Sequence, residues 1–282
     1  MSSEPIVRIS GLFHSYEEGV PALDGVDLEI ADNALVAVIG QNGSGKTTLA
    51  KHLNGLLRPT SGRVTVAGQD TATTPVARLA LTVGYVFQNP DHQIFSGTTR
   101  EEIGFGLRNL GLGEEVIRER TAESLDVFGL AHCAEVPPAI LGYGLRRKVT
   151  VASVYAMRPP VLVLDEPTNG LDRRSSDELM CLIADLHRAG HTILLITHDM
   201  RIVAEFAPET VVMHEGRVLA QGPTRDILTH ARAMHTAHIA PPQVTRLARR
   251  LAPQGLDPDL LTVGEFCRAY DQALEARDGS PL

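Results

Sequence analysis

The sequence has no tryptophan, and only 7 Phe and 5 Tyr occur among its 282 residues. Such scarcity argues against a broad aromatic platform of the kind that stacks single-stranded nucleic acid. Cysteine is rarer still. Cys133, Cys181 and Cys267 are odd in number, far apart and in no Cys-x-x-Cys spacing, so neither a disulfide framework nor a zinc site is expected. A basic excess is missing as well: 26 Lys and Arg stand against 34 Asp and Glu, a formal charge of −8, which leaves no general footprint for nucleic acid. Long apolar runs are absent. The longest, such as Ala34 to Ile39 and Val161 to Leu164, fall far short of the roughly 18 to 20 residues that span a bilayer. The amino terminus, MSSEPIVRIS, lacks a basic region followed by an apolar core, so no secretory signal is read there and the chain is expected to stay in the cytosol. What remains, 43% apolar and 21% charged, is the balance of a folded chain with a substantial core in one large or two modest domains.

Apolar patterning separates two kinds of strand. From Val7 to Ile30, apolar and polar residues alternate around a turn-like EEGVPALDG segment, which predicts paired antiparallel strands at a sheet edge or in a small subdomain. A second hairpin-like region runs from Gly62 to Gly68, and a third is VVMHEGRVLAQG. By contrast, Ala34 to Ile39, Val83 to Phe87, Val161 to Leu164 and Thr192 to Thr197 are continuous apolar runs, as strands buried on both faces require. Helical spacing follows the first of these runs and recurs from Arg100 to Leu130, with a break at Gly111 and Gly113, and around Ser175 to Arg188. Buried strands alternating with helices predict an α/β fold with a mainly parallel sheet. After Gly222 the composition shifts toward proline (Pro241, Pro242, Pro253, Pro258), which reads as a small appended subdomain.

Between the first buried run and its helix lies the densest signal, Gly40-Gln41-Asn42-Gly43-Ser44-Gly45-Lys46-Thr47. The Gly-x4-Gly-Lys-Thr spacing lets successive backbone N–H groups nest around phosphate oxygens at a helix amino terminus. Lys46 would reach the β- and γ-phosphates, and the Thr47 hydroxyl would ligate Mg²⁺. A glycine-rich turn ahead of a helix is the bland alternative. Chance matches to four constrained positions arise in a chain of this length on the order of 1% of the time, and the strand-loop-helix context makes them rarer. Two further strand ends carry chemistry. VLVLDE places Asp165 and Glu166 at a strand end, where Asp165 would sit near Mg²⁺ and Glu166 could accept a proton from an attacking water. Alone, such a pair reads as a solvated turn. Thr197-His198-Asp199 follows the run TILLIT, so His198 would emerge on the same edge within reach of a γ-phosphate.

Taken together, Gly40 to Thr48, Gln88 in VFQNP, Asp165 and Glu166, Asn169 to Asp172 (NGLD), and His198 resemble the nucleotide-binding subunit of an ABC transporter, in that family's order and at its approximate spacings. The resemblance covers about residues 5 to 222, with a helical subdomain at about 90–158 and a C-terminal extension at 223–282. It implies a P-loop NTPase fold, in which a mainly parallel core sheet is joined by an antiparallel β subdomain and an α-helical one. It also implies an ATPase in which Tyr16 stacks on adenine, Gln88 contacts Mg²⁺ and the transport subunit, Thr48 completes the phosphate loop, and Asp172 lies at a dimer interface. A core aromatic is the alternative for Tyr16, and a plain loop amide for Gln88. VFQNPDHQIFSGTTREEIGFGLRN and PPQVTRLARRLAPQGLDPDLLTVGEF are similar to energy-coupling factor ATPases, which drive uptake of vitamins or of cobalt and nickel. That narrower likeness implies a peripheral place on the cytoplasmic face of the membrane. Its partners would be a second ATPase, paralogue or self, a transmembrane coupling subunit and a substrate-capturing membrane protein.

One motif departs from the family. The signature Leu-Ser-Gly-Gly-Gln stands here as Leu141-Gly142-Tyr143-Gly144-Leu145, a loop that in the family caps the γ-phosphate held by the opposite subunit. Gly142 has no hydroxyl, which removes a hydrogen bond to a charged phosphate worth about 1.5 to 3 kcal/mol. Tyr143 brings a ring and resists positive φ, which puts close backbone approach in doubt. Arg146, Arg147 and Lys148 follow, read as a solvated basic helix face or as compensating attraction for phosphate. An asymmetric pair with a signature-intact paralogue is the expectation. A regulatory partner with little hydrolysis and a non-transport ABC protein are the rivals.

Overall fold

The computed structural model describes residues 4–17 and 19–278. Glu18 of the expected turn and the ends of the chain, 1–3 and 279–282, lie outside the described residues. The continuous apolar runs form β3 (Leu35–Ile39), β6 (Val83–Val86), β7 (Val161–Asp165) and β8 (Thr192–Ile196). With the antiparallel hairpin β9 (Glu209–His214) and β10 (Arg217–Pro223) they make a six-stranded sheet in the order β10-β9-β3-β8-β7-β6, parallel except at β10. The alternating segments form a second, antiparallel sheet of β1 (Val7–Glu17), β2 (Val20–Ile30), β4 (Ser61–Val66) and the short β5 (Gln69–Asp70), in the order β2-β1-β4-β5.

The reason for the two sequence patterns is visible in the packing. Side chains alternate across a strand, and both faces of the larger sheet are covered. Leu162 and Leu164 of β7, like Ile193 and Leu195 of β8, belong to a core shared with helices. Their neighbours Val161, Val163, Leu194 and Ile196 belong to a separate core between this sheet and the antiparallel one. Strands that serve two cores must be apolar at every position, whereas β2, which buries one face, keeps the alternation.

Helix α1 (Lys46–Leu53) follows β3, and the four-residue α2 (Val76–Leu79) precedes β6. Next come α3 (Thr99–Asn109), α4 (Glu114–Val127) and α5 (Tyr143–Tyr155), the first two separated at the Gly111 to Gly113 break. Thr98 caps α3 reciprocally with Glu101, satisfying two otherwise free backbone donors. The helix α6 (Arg173–Arg188) begins earlier than its apolar spacing indicates because Asp172 caps it, accepting from the Ser175 N–H at 2.7 Å. After β8 comes α7 (Met200–Phe206), and beyond β10 lie α8 (Thr224–Thr229), α9 (Ala231–Thr236), α10 (Gln243–Leu251) and α11 (Val263–Asp278). Ile227, Leu228, Met234, Ala237 and Leu261 of this last stretch join the helix-side core, while Ala248, Leu256 and Leu260 form a small cluster of their own. Among the described residues no helix is long and apolar enough to cross a membrane.

Candidate nucleotide site

Four of the five parallel strands, β3, β6, β7 and β8, deliver site residues at their carboxyl ends to one edge, the edge at which open α/β sheets bind ligands. There β3 runs into the glycine loop, β6 leads to Gln88, β7 ends in Asp165 and Glu166, and β8 leads to His198. Gly45 opens α1 at φ +100°, and a methyl group added to it would lie 2.8 Å from the Ala22 carbonyl oxygen. Only glycine meets both conditions. The first N–H groups of α1 have no intrahelical partner and sit at the positive end of the helix dipole. Gly40 and Ser44 lie buried beneath this loop, and Gln41, Asn42 and Gly43 are exposed on it. Lys46, only 8% exposed, donates from Nζ to the Gly40 and Gln41 carbonyl oxygens at 2.8 Å each. Burial lowers the pKa of its ammonium, and the charges of Glu166 and Asp165 work against that lowering.

Asp165 is no solvated turn. Its Oδ2 accepts from the Thr47 hydroxyl at 3.1 Å and from the Tyr85 hydroxyl at 3.0 Å. Burial, followed by the charge of Asp165, pushes the Tyr85 phenol far above its ordinary pKa, so it stays a neutral donor. Tyr85 escaped the sequence reading, because a tyrosine within a buried strand looks like core and only the β6–β7 pairing puts it beside the carboxylate. Replacing Tyr85 with Phe removes one of two hydrogen bonds to a charged group, an interaction worth about 1.5 to 3 kcal/mol. A correspondingly lower urea midpoint is the expected result, and an unchanged midpoint would mean that the hydroxyl does not hold Asp165.

Glu166 is 8% exposed and its backbone is left-handed at φ +48°, a conformation that residues with a Cβ hold only where the surroundings enforce it. Its N–H donates to the Ile196 carbonyl at 2.9 Å, and its Oε1 lies 2.8 Å from His198 Nδ1. Tyr16 is 60% exposed, with its hydroxyl 3.1 Å from Thr48 Oγ1 and its ring edge-on to His14, so it is not a core aromatic. Tyr16, Asn42, Lys46 to Thr48, Gln88, Asp165 and Glu166 line one cleft of about 420 Å³. The Thr47 hydroxyl, the Asp165 carboxylate and the Gln88 amide offer hard oxygen donors, a set that suits Mg²⁺.

Leu141 to Leu145 and Asp172 do not line this cleft. Gly142 is the exposed N-cap of α5, and Tyr143 starts the helix with right-handed backbone. The expected conflict between Tyr143 and positive φ therefore does not arise, because the position is the first turn of a helix. The basic run is not a solvated face either. Arg147 is wholly buried, Arg146 pairs with Asp91, and Lys148 pairs with Glu178.

The ABC transporter family model matches residues 23–169. The energy-coupling factor transporter ATP-binding protein EcfA of Methanothermobacter thermautotrophicus is 38% identical over 263 residues, 92% of this chain and 85% of that protein. Among solved structures, cbiO1 from Clostridium perfringens, part of the ABC transporter complex cbiONQ, superposes with a TM-score of 0.77 at 33% identity, covering 89% of this chain and 97% of that one. A dimeric post-hydrolysis state of the ATP-binding cassette MJ0796, bound to ADP and Pi, gives a TM-score of 0.70 at 26% identity over 77% of this chain and 98% of that one. Against three further curated relatives, 41–44% identical, the chain spans less than half of their length. The chain belongs to the ABC transporter family, has the P-loop NTPase fold of that family's ATP-binding cassettes, and groups with the energy-coupling factor-like members.

Proposed function

We propose that this chain powers an importer of the energy-coupling factor type, working from the cytoplasmic face of the membrane through transmembrane partners. One observation carries the reading: a phosphate loop, a Thr47–Asp165 pair and a Glu166–His198 pair share one strand edge, and all of these but His198, which holds Glu166 from beside it, line one cleft. In this reading the triphosphate settles on the N–H groups of the loop and α1, and Lys46 turns from the Gly40 and Gln41 carbonyls to the β- and γ-oxygens. Tyr16 stacks on the adenine. Thr47, Asp165 and Gln88 would hold Mg²⁺, which neutralises phosphate charge when bound. Glu166 takes the proton of the attacking water, while His198 fixes the carboxylate and faces the γ-phosphate. Closure around ATP and reopening after hydrolysis would pull on the membrane subunits.

The exposure of Gly142 and Asp172 supports a role for both in a second cassette's site and interface. A vitamin or transition-metal ion is the cargo that the likeness favours, captured by a membrane protein rather than by this chain. The helices after β10 belong to the proposed extension at 223–282. A groove between α2, α3 and α5 that holds Phe87, Phe95 and Phe105 supports docking of a transmembrane subunit beside the glutamine loop. Affinity capture from native membranes followed by mass spectrometry tests the assignment: membrane subunits with a second cassette support it, and recovery of no membrane protein overturns it.

The signature loop sets a sign for the pair. This chain's Lys46, Asp165 and Glu166, capped by an intact partner loop, form the active site. The partner's nucleotide under Gly142 turns over slowly. With this chain's own site silenced by Glu166→Gln, adding Gly142→Ser should raise residual phosphate release about tenfold, the equivalent of one hydrogen bond to phosphate. No increase would sink the asymmetry.

A further inference from the structure

The side chain that the basic run hides is the one with the widest reach. Arg147 is 0% exposed, and burying a guanidinium is costly unless its donors are met. The acceptors of its two Nη atoms are main-chain oxygens from two different loops, while its buried Nε has no partner. Nη1 donates to the Phe87 carbonyl at 2.6 Å, and Nη2 donates to the Gln88 carbonyl and to the Glu166 carbonyl, the latter at 3.3 Å. The planar fork of arginine spans such a set, whereas the point charge of lysine does not. Tyr143, one turn earlier on the same helix, lies with its ring centroid 5.9 Å from the guanidinium carbon and its edge against Gly170.

We infer that Arg147 is a positioning residue for ATP hydrolysis, joining the helix that carries the signature loop to both the glutamine loop and the catalytic carboxylate of the same chain. The inference rests on the nucleotide-site reading above. Two neighbours reinforce the same connection. Gln93 accepts from the Phe87 N–H and donates to the Thr150 carbonyl of α5, both at 3.2 Å, and Arg146 pairs with Asp91. Glu166 holds its left-handed backbone between four anchors: Ile196 on its N–H, His198 on its carboxylate, and on its carbonyl the Asn169 N–H and Arg147. Only the last comes from α5. A shift of α5, as its amino terminus engages a partner's nucleotide, is thereby passed to Gln88 and Glu166, so that one chain's cap and its own hydrolytic site move as a unit. Burial lowers the guanidinium pKa, and Tyr143, Asp165 and Glu166 oppose that lowering, which ties the cation electrostatically to the same carboxylates.

The test compares Arg147→Lys and Arg147→Ala with the parent chain in the assembled complex. Binding of a fluorescent ATP analogue and the melting temperature of each variant are read alongside kcat and KM. The expected result is a kcat at least tenfold lower, with KM and analogue affinity within twofold of the parent. Added methylguanidinium should restore part of the Arg147→Ala kcat, and methylammonium should not. A purely structural role would instead lower melting temperature, binding and kcat together without rescue, and that outcome, or an unchanged kcat in Arg147→Lys, overturns the inference. Should neither variant fold, hydrogen exchange on the parent chain decides. Amides of residues 87–96, 166–169 and the first turn of α5 should gain protection together when ATP binds, and independent responses overturn the coupling. Loss of hydrolysis in Glu166→Gln with full activity in Arg147→Lys would remove this inference and leave the site reading intact.

Discussion

Glutamine in place of Glu166 is expected to lower phosphate release by the assembled complex by about 10²- to 10⁴-fold, the range that a positioned general base contributes. The substitution is a sharp one because the amide is nearly isosteric with the carboxylate and can keep the 2.8 Å contact to His198 Nδ1. Backbone anchors on Glu166 are unchanged by it. Nucleotide binding should therefore survive, and ATP should accumulate in the closed complex, measurable as trapped nucleotide per complex. Unchanged hydrolysis would assign the chemistry to the partner's site and make this chain a regulatory subunit.

A larger loss of binding is expected from Lys46→Met. The ammonium would make charge-assisted hydrogen bonds to two phosphates, each worth about 1.5 to 3 kcal/mol, so ATP affinity measured by calorimetry should fall a hundredfold or more. Stability of the nucleotide-free chain should change much less. Removing Lys46 relieves the desolvation that lowers its pKa but also removes the cation facing Asp165 and Glu166, and the two effects oppose each other. Affinity within threefold of the parent would mean that the loop's N–H groups, not Lys46, hold the triphosphate.

Much of this was legible in the linear sequence, for physical reasons. A strand buried on both faces has to be apolar throughout, so 35–39, 161–165 and 192–196 announce themselves. A loop that wraps phosphate with backbone groups needs glycines at fixed offsets, so Gly40 to Thr47 does too. Partners set by tertiary contact were hidden. Tyr85 reaches Asp165 only through strand pairing. Arg147 stands among three adjacent basic residues, which in sequence read as a solvated face or as attraction for phosphate, and neither reading shows that it is buried. Its helical neighbours gave a usable signal, since Arg147, Thr150, Val151 and Val154 share one buried stripe of α5. The Tyr143 expectation fails for a different reason: a glycine in a family motif does not by itself require positive φ, and this position lies in the first turn of a helix.

The two cores on either side of the parallel sheet give the catalytic edge a form of fault tolerance. Val163 and Leu164 are neighbours in sequence, yet they answer to different sets of packing partners. A cavity opened on one side weakens the fold by about 2 to 5 kcal/mol, while the opposite side still grips the same strand. The height at which Asp165 and Glu166 emerge is thus specified twice, and the loops beyond the strand ends can vary without the carboxylates losing their place.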